Sequence, residues 1–79
     1  MSKIKIACVQ MDCRLGETAA NRQRIIEQTR AAVRVGAELV IFPECALTGY
    51  CFDSLAEAAQ VAEPLAGPSA KIISEVCAE

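Results

Sequence analysis

The segment LVIFPEC, at residues 39–45, decides how this chain folds. Its four leading apolar residues follow Gly36 closely and are stopped by Pro43, and Glu44 comes directly afterwards. An apolar run of this length, bounded by a glycine and a proline, is typical of a short strand buried on both faces. Ligands of open α/β sheets collect at the carboxyl ends of the strands. Glu44 therefore lies where a ligand site is expected.

A second strand is predicted upstream, at residues 4–10, because this run is rich in β-forming residues and alternates between two faces. One face carries Ile4, Ile6 and Cys8, and the other carries Lys5, Ala7 and Val9. Asp12 and Gly16 are turn residues of the loop that follows.

An amphipathic helix is predicted between the strands, at residues 18–35, where the apolar residues recur with the helical period. Thr18 is the expected N-cap, Asn21 is a second candidate, and Gly36 is the expected C-terminal stop. The face expected to pack comprises Ile25, Ile26, Thr29, Ala32, Val33 and Gly36. A strand, a helix and a strand joined by short links form a βαβ unit with parallel strands, so the predicted fold class is α/β.

Two further helices are predicted after Glu44. Ser54 and Glu57 match a capping box, which indicates a short helix at residues 55–62. Its expected packed face comprises Leu55, Ala58, Ala59 and Ala62. Pro68 suits the first turn of another helix, which is expected to continue to Glu79. Its expected packed residues are Ile72, Ile73 and Val76.

Two parallel strands and three helices cannot cover both faces of a sheet. The last helix is therefore expected to lead to a third strand. We expect residues 1–79 to be the amino-terminal part of a single larger domain that is incomplete at its C-terminal end.

Composition and charge exclude several function classes. The chain is 53% hydrophobic and 23% charged, and its net charge of −2 is scattered, so no basic patch for nucleic acid is expected. No segment approaches the apolar length of a membrane helix, and Gln10 and Asp12 interrupt the first apolar stretch before a signal peptide could form. A cytoplasmic protein is expected.

The chain has five cysteines, and this odd number does not suggest a disulfide scaffold. It has neither a Cys-x-x-Cys pair nor a histidine, so a metal site is not suggested either. We expect all five to behave as small, buried apolar side chains. Neither a metal nor a cofactor is predicted.

Several segments together resemble the start of a nitrilase-superfamily carbon-nitrogen hydrolase. They are the run at residues 4–10, the helix containing Asn21, the FPE triplet at residues 42–44, and the ALTGY segment at residues 46–50. The resemblance implies a four-layer αββα sandwich, of which this chain would be the βαβ-plus-helices portion. It also implies an active site of a glutamate, a lysine and a cysteine, in which the cysteine attacks an amide or nitrile carbon and forms a thioester. Glu44 matches the glutamate, the general base of that site.

The position of Glu44 is consistent with this role, because partial desolvation at a buried strand end would raise the pKa of a carboxylate toward the range where a base works. A thiol also needs such a base at neutral pH. The alternative is that Glu44 is a polar residue where a strand reaches the surface.

The other two members of the site are not identified in this chain. Cys45 adjoins Glu44, but neighbouring side chains in extended backbone point to opposite sides, so Glu44 would not reach its sulfur. Cys51 is not excluded by geometry. Lys3 and Lys5 lie at the end of the first strand opposite to Glu44, and Lys71 lies on the last helix; none matches the family's lysine.

Tyr50 is a candidate for lining the substrate pocket, and it could equally pack against Phe52. The predicted function is hydrolysis of a small amide or N-carbamoyl compound, in a full-length protein that forms homo-oligomers, with the 79-residue chain inactive by itself. A truncated, non-catalytic product or a small α/β association module is the alternative.

Overall fold

The computed structural model describes residues 3–79, and this part of the chain forms two strands and three helices. The order of elements is β1 (Ile6–Cys8), α1 (Thr18–Arg34), β2 (Leu39–Ile41), α2 (Leu55–Ala59) and α3 (Pro68–Cys77). Both strands are shorter than the apolar runs that predict them. Within these residues, no helix is both long and apolar enough to cross a membrane.

The two strands pair in parallel, as the βαβ prediction requires. Ile6 lies opposite Leu39, and Cys8 lies opposite Ile41. Backbone hydrogen bonds extend the ladder at both ends, from the Glu38 N–H to the Lys5 carbonyl and from the Val9 N–H to the Ile41 carbonyl, each at 2.8 Å. The α/β class and the parallel sheet are therefore confirmed.

The helix α1 ends at Arg34, and Gly36 stops it just beyond the C-cap, as predicted. Gly36 has a φ of 90°, a left-handed conformation that favours glycine. The Gly36 N–H donates to the Val33 carbonyl at 2.9 Å, and the Ala37 N–H donates to the Ala32 carbonyl at 3.0 Å. This pair of bonds is a Schellman motif, which satisfies two of the last carbonyls of the helix.

The N-terminus of α1 differs from the prediction by one residue. Glu17 is the N-cap, and its side chain makes no capping hydrogen bond. Thr18 is the first helical residue rather than the cap. Asn21 is also wrong as a cap, because it lies within the helix and is fully buried.

The packed face of α1 is mostly as predicted. Ile25, Ile26 and Ala32 are buried, and α1 packs against α3, where Val76 is buried. The predictions for Val33 and Gly36 are wrong, since both are exposed and Val33 has 57% of its surface exposed. Val33 lines an open groove between α1, β2 and α3, which leaves its side chain in contact with solvent.

The sheet is covered on one face at most. Ala7, Val9 and Val40 are half-buried. On the other face Ile6, Leu39 and Ile41 are each nearly half exposed. The prediction that the second strand is buried on both faces is therefore wrong for residues 3–79.

The short helix α2 begins as predicted but packs differently. The Ser54 hydroxyl accepts the Glu57 N–H at 3.1 Å, which confirms the capping interaction. The helix ends at Ala59 rather than Ala62, and none of its residues is buried. Leu55 is 86% exposed, so the predicted packed face is wrong.

The last helix, α3, begins at Pro68 as predicted. Val76 is buried and Ile72 and Ile73 are half-buried, which agrees with the expected packed side. The expected continuation to Glu79 is wrong, because the helix ends at Cys77.

Candidate active site

Glu44 follows β2 by three residues, at the carboxyl end of the parallel sheet. It begins a turn at residues 44–48, in which the Gly49 N–H donates to the Cys45 carbonyl at 2.9 Å. This turn folds the chain back immediately after the strand. The predicted base therefore lies on a defined turn at the edge of the sheet where ligands collect.

The side chain of Glu44 is exposed. The desolvation expected at this position is therefore wrong for the part of the chain that the structure describes. The reason is that β2 itself is only partly covered, so the strand does not end in a buried environment.

Cys45 has a φ of 55°, which is the left-handed region and is uncommon for a residue other than glycine. The extended backbone assumed for this residue is therefore wrong, and the argument that separates its side chain from Glu44 does not apply. Ala46, the next residue, is buried with 8% of its surface exposed. This tight turn points the side chain of Ala46 toward the protein interior, and it leaves the side chains of Glu44 and Cys45 in solvent.

Asn21 holds the turn after Glu44 against the loop after β1. Asn21 is fully buried, and its side-chain amide donates to the Leu47 carbonyl at 2.9 Å. The same amide donates to the Arg14 carbonyl at 2.7 Å, and its oxygen accepts the Arg14 N–H at 2.9 Å. Both N–H groups of the side chain are thus satisfied, as a buried amide requires.

Gly16 and Gly49 both contact the opposite loop, and Gly49 allows the two loops to approach closely. The Gly16 N–H donates to the Thr48 carbonyl at 2.8 Å. A Cβ atom at Gly49 would lie 2.7 Å from the Leu15 Cα, a distance that only glycine allows. We call Asn21, Gly16 and Gly49, with the backbone groups they contact, the loop clamp.

The sequence supports one family assignment for this architecture. The model of the carbon-nitrogen hydrolase family matches residues 5–79. The chain belongs to the carbon-nitrogen hydrolase family. This confirms the resemblance to the nitrilase superfamily that the segments around Glu44 indicate.

The chain is also similar to a glutamine-dependent NAD(+) synthetase of Acinetobacter baylyi (strain ATCC 33305 / BD413 / ADP1), with 38% identity over 55 residues. The similarity covers 70% of this chain and 10% of that protein. The chain thus spans a small part of the length of the relative it matches.

Tyr50, the second candidate of this carbon-nitrogen hydrolase site, lies just beyond the loop clamp and is 68% exposed. Its backbone carbonyl accepts the Phe52 N–H at 3.2 Å. Phe52 is half-buried. Packing against Phe52 therefore covers little of the Tyr50 ring, and a role in substrate binding stays a prediction.

The thiols of this carbon-nitrogen hydrolase segment are not buried as expected. Cys13 is half-buried and its thiol lies 3.8 Å from the Met11 carbonyl. The other four, Cys8, Cys45, Cys51 and Cys77, are exposed. Cys8 is exposed because it lies on the same open face of the sheet as Ile6, Leu39 and Ile41, and Cys77 lines the open groove between α1, β2 and α3.

The lysines lie where the sequence places them. Lys5 precedes β1, at the end of the sheet opposite to Glu44, and its ammonium group donates to the Val35 carbonyl at 2.9 Å. Lys71 is exposed on α3. Residues 3–79 also contain no cluster of three or more Cys, Asp or Glu side chains that could hold a metal ion.

A groove of about 730 Å³ lies between α1, β2 and α3. Its walls include Ile25, Val40 and Val76, and neither Glu44 nor Tyr50 lines it. The groove is therefore separate from the candidate active site.

Proposed function

We propose that this chain contributes the general base, Glu44, to a carbon-nitrogen hydrolase that cleaves a small amide or N-carbamoyl compound through a cysteine thioester. The observation that carries the proposal is the position of Glu44, at the carboxyl end of β2 on a turn held by a hydrogen bond from the buried Asn21. Membership of the family supports the same chemistry.

The reaction follows from the roles that the family resemblance implies. The Glu44 carboxylate takes the proton of a cysteine thiol, and the thiolate attacks the amide carbon. The carbon–nitrogen bond breaks, and the amine or ammonia leaves with the proton. Water then hydrolyses the thioester and releases the acid. The resemblance assigns the attacking cysteine and the lysine that stabilises the oxyanion to residues outside this chain.

Glu44→Gln tests the role of the base in the full-length protein. Glutamine keeps the size of the side chain but cannot accept the thiol proton, so we expect turnover to fall by about 10²- to 10⁴-fold. Ammonia release under saturating substrate measures the loss. Glu38→Gln is the matched control, because Glu38 is an exposed acid at the opposite end of β2, and it should leave turnover unchanged. Full turnover in Glu44→Gln would remove Glu44 from the mechanism.

Glutamine is a candidate substrate, and the similarity to a glutamine-dependent synthetase favours it. Its carboxamide is a small primary amide of the class proposed above. Ammonia release from glutamine should then exceed release from acetamide or an N-carbamoyl amino acid at equal concentration. Equal or lower ammonia release from glutamine would exclude glutamine as the preferred substrate, and the proposal of amide hydrolysis would still stand.

The second candidate function is a non-catalytic association module. The exposed apolar face of the sheet, at Ile6, Leu39 and Ile41, favours it. A native protein of 79 residues without ammonia release would support the module, whereas a longer protein with thiol-dependent release would exclude it.

We propose a cytoplasmic homo-oligomer as the state of the full-length protein. The free thiols are compatible with a reducing compartment. Fractionation of cells and light scattering of the purified protein test the two parts separately.

A further inference from the structure

We infer that Asn21 is a positioning residue for catalysis, which holds the turn bearing Glu44 in its working place through the Leu47 carbonyl. The inference deepens the proposed function and rests on the role of Glu44 as the base. Asn21 itself is far too buried to touch a substrate, since none of its surface is exposed.

The first step of the argument is the reach of the Asn21 side chain. It is carried by α1, yet two of its three side-chain hydrogen bonds go to Arg14 in the loop before the helix, and the third goes to Leu47. Leu47 is 26 residues away in the chain and three residues after Glu44. One side chain thus joins the helix to both loops at the carboxyl edge of the sheet.

The second step is that the turn has a conformation that needs support. Cys45, directly after Glu44, has a φ of 55°. A left-handed residue with a side chain is less stable than an extended one and persists where its surroundings hold it. The bonds to the Leu47 and Thr48 carbonyls lie at the far end of this turn and provide that support.

The third step is that Glu44 has no other described anchor. Its side chain is exposed, so packing does not fix its place. The position of its carboxylate therefore depends on the backbone of the turn. A small displacement of a catalytic group can lower a rate by about 10²-fold, which makes the clamp relevant to turnover.

The experiment is a double-mutant cycle of Asn21→Ala and Glu44→Gln in the full-length protein. Asn21→Ala alone should lower kcat by about 10- to 100-fold with KM changed by less than about twofold. In the Glu44→Gln background the same change should lower kcat by less than about threefold, because the group that Asn21 positions is gone. An equal loss in both backgrounds would show a general structural effect and would overturn the inference.

Ser69→Ala is the matched control. Ser69 is 2% exposed, and its hydroxyl also makes two side-chain hydrogen bonds. It accepts one from Arg22 on α1 and donates one to Glu63, just before α3, so neither bond joins the two loops of the clamp. It should lower the thermal midpoint as Asn21→Ala does and leave kcat unchanged. A matching loss of kcat in Ser69→Ala would overturn the inference.

A second measurement does not depend on catalysis. The amide N–H groups of Gly16 and Gly49 bond within the clamp, so their hydrogen exchange should become about tenfold faster or more in Asn21→Ala and stay unchanged in Ser69→Ala. Unchanged exchange in Asn21→Ala would overturn the inference, even where Glu44→Gln leaves too little activity to complete the cycle.

Asn21→Ser, which replaces the amide with a smaller hydroxyl donor, is used in place of Asn21→Ala if that variant does not fold. In the unmodified protein the hydrogens of the Asn21 side-chain amide should exchange as slowly as that of the Gly16 N–H, and exchange at the rate of a free amide would overturn the inference.

Retained turnover in Glu44→Gln refutes the proposed function. Full turnover in Asn21→Ala beside an inactive Glu44→Gln refutes only the role of Asn21.

Discussion

Single residues at the loop clamp show where sequence reasoning succeeds and where it fails. The position of Glu44 at the end of β2 is predicted correctly from its own neighbours, because an apolar run and a proline mark the end of the strand, whereas its catalytic role stays a prediction. The sequence does not predict that Asn21 is buried and joins two loops, because an asparagine near the start of a helix usually indicates an N-cap. Its partner Leu47 lies 26 residues away, beyond the reach of local patterns. One signal was present: Asn21 stands one turn before Ile25, as a polar residue in line with the buried face of α1.

Gly49 yields a prediction at the same scale. In Gly49→Ala the new Cβ would lie 2.7 Å from the Leu15 Cα, and the φ of 85° would also become strained. Gly16→Ala is the control, because Gly16 has a φ of 72° but open space around its Cβ position. We expect Gly16→Ala to lose about 1–2 kcal/mol from backbone strain alone. Gly49→Ala should lose clearly more.

Urea denaturation of the two full-length variants measures this difference. Equal losses would contradict the close approach of the two loops. The comparison separates steric contact from conformational strain, since both variants share the second effect.

Whole elements are predicted well where their signals are local. The span of α1, its stop at Gly36, the cap at Ser54 and the start of α3 at Pro68 all follow from nearby residues. Their packing is predicted less well, because burial depends on what lies opposite. Leu55 has the right spacing for a packed face, yet no described element faces it.

A polar contact joins α1 to α3 beside their apolar contact. The Glu63 carboxylate accepts the Ser69 hydroxyl at 2.6 Å and the Ser69 N–H at 2.8 Å. Arg22 donates to the same hydroxyl at 3.1 Å. The hydrogen bond from the Ser69 hydroxyl, then that from its N–H, lowers the pKa of Glu63, and the charge of Arg22 acts in the same direction.

This contact predicts a pH dependence of stability. Because the folded pKa of Glu63 is lowered, its contribution is present above the ordinary glutamate pKa of about 4.3 and is lost as the pH falls through the folded pKa. Glu63→Gln should therefore lower the thermal midpoint at about pH 6–7, where the carboxylate is ionised, and this effect should shrink below about pH 4.

Thermal denaturation of both proteins across this pH range checks the prediction. Glu75→Gln is the control, because Glu75 is an exposed acid of α3 itself. A difference between wild type and Glu63→Gln that is the same at every pH would contradict the assignment.

For the molecule as a whole, the sequence predicts the α/β class and the parallel pairing correctly. The prediction that both faces of the sheet are buried is wrong. It rests on the hydrophobicity of the strands, which indicates that another layer would stabilise them but does not show that such a layer is present. Ile6, Leu39 and Ile41 remain nearly half exposed. The four-layer sandwich implied by the family would supply the second layer, and it stays a prediction.

The same reasoning predicts that the isolated 79 residues do not hydrolyse amides. The chain contains Glu44, which matches the family's general base, but no lysine or cysteine in it is identified as the other two members of the active site. Incubation of the purified short chain with glutamine or acetamide should release no ammonia above the rate of a Glu44→Gln control. Thiol-dependent ammonia release by the short chain would contradict the prediction and would make Cys45 and Cys51 candidates for the nucleophile.

The loop clamp also leads us to expect a limit on how the lengths of its two loops can vary. Surface loops usually accept insertions independently of each other. Here the loop at residues 9–17 and the turn at residues 44–49 share the hydrogen bonds of Asn21 and Gly16, so a longer version of one would displace the other. We expect insertions to be better tolerated at residues 60–62, which lie outside the clamp and between α2 and α3. Through its bonds to Arg14 and Leu47, Asn21 thus couples the length of one loop to the length of the other.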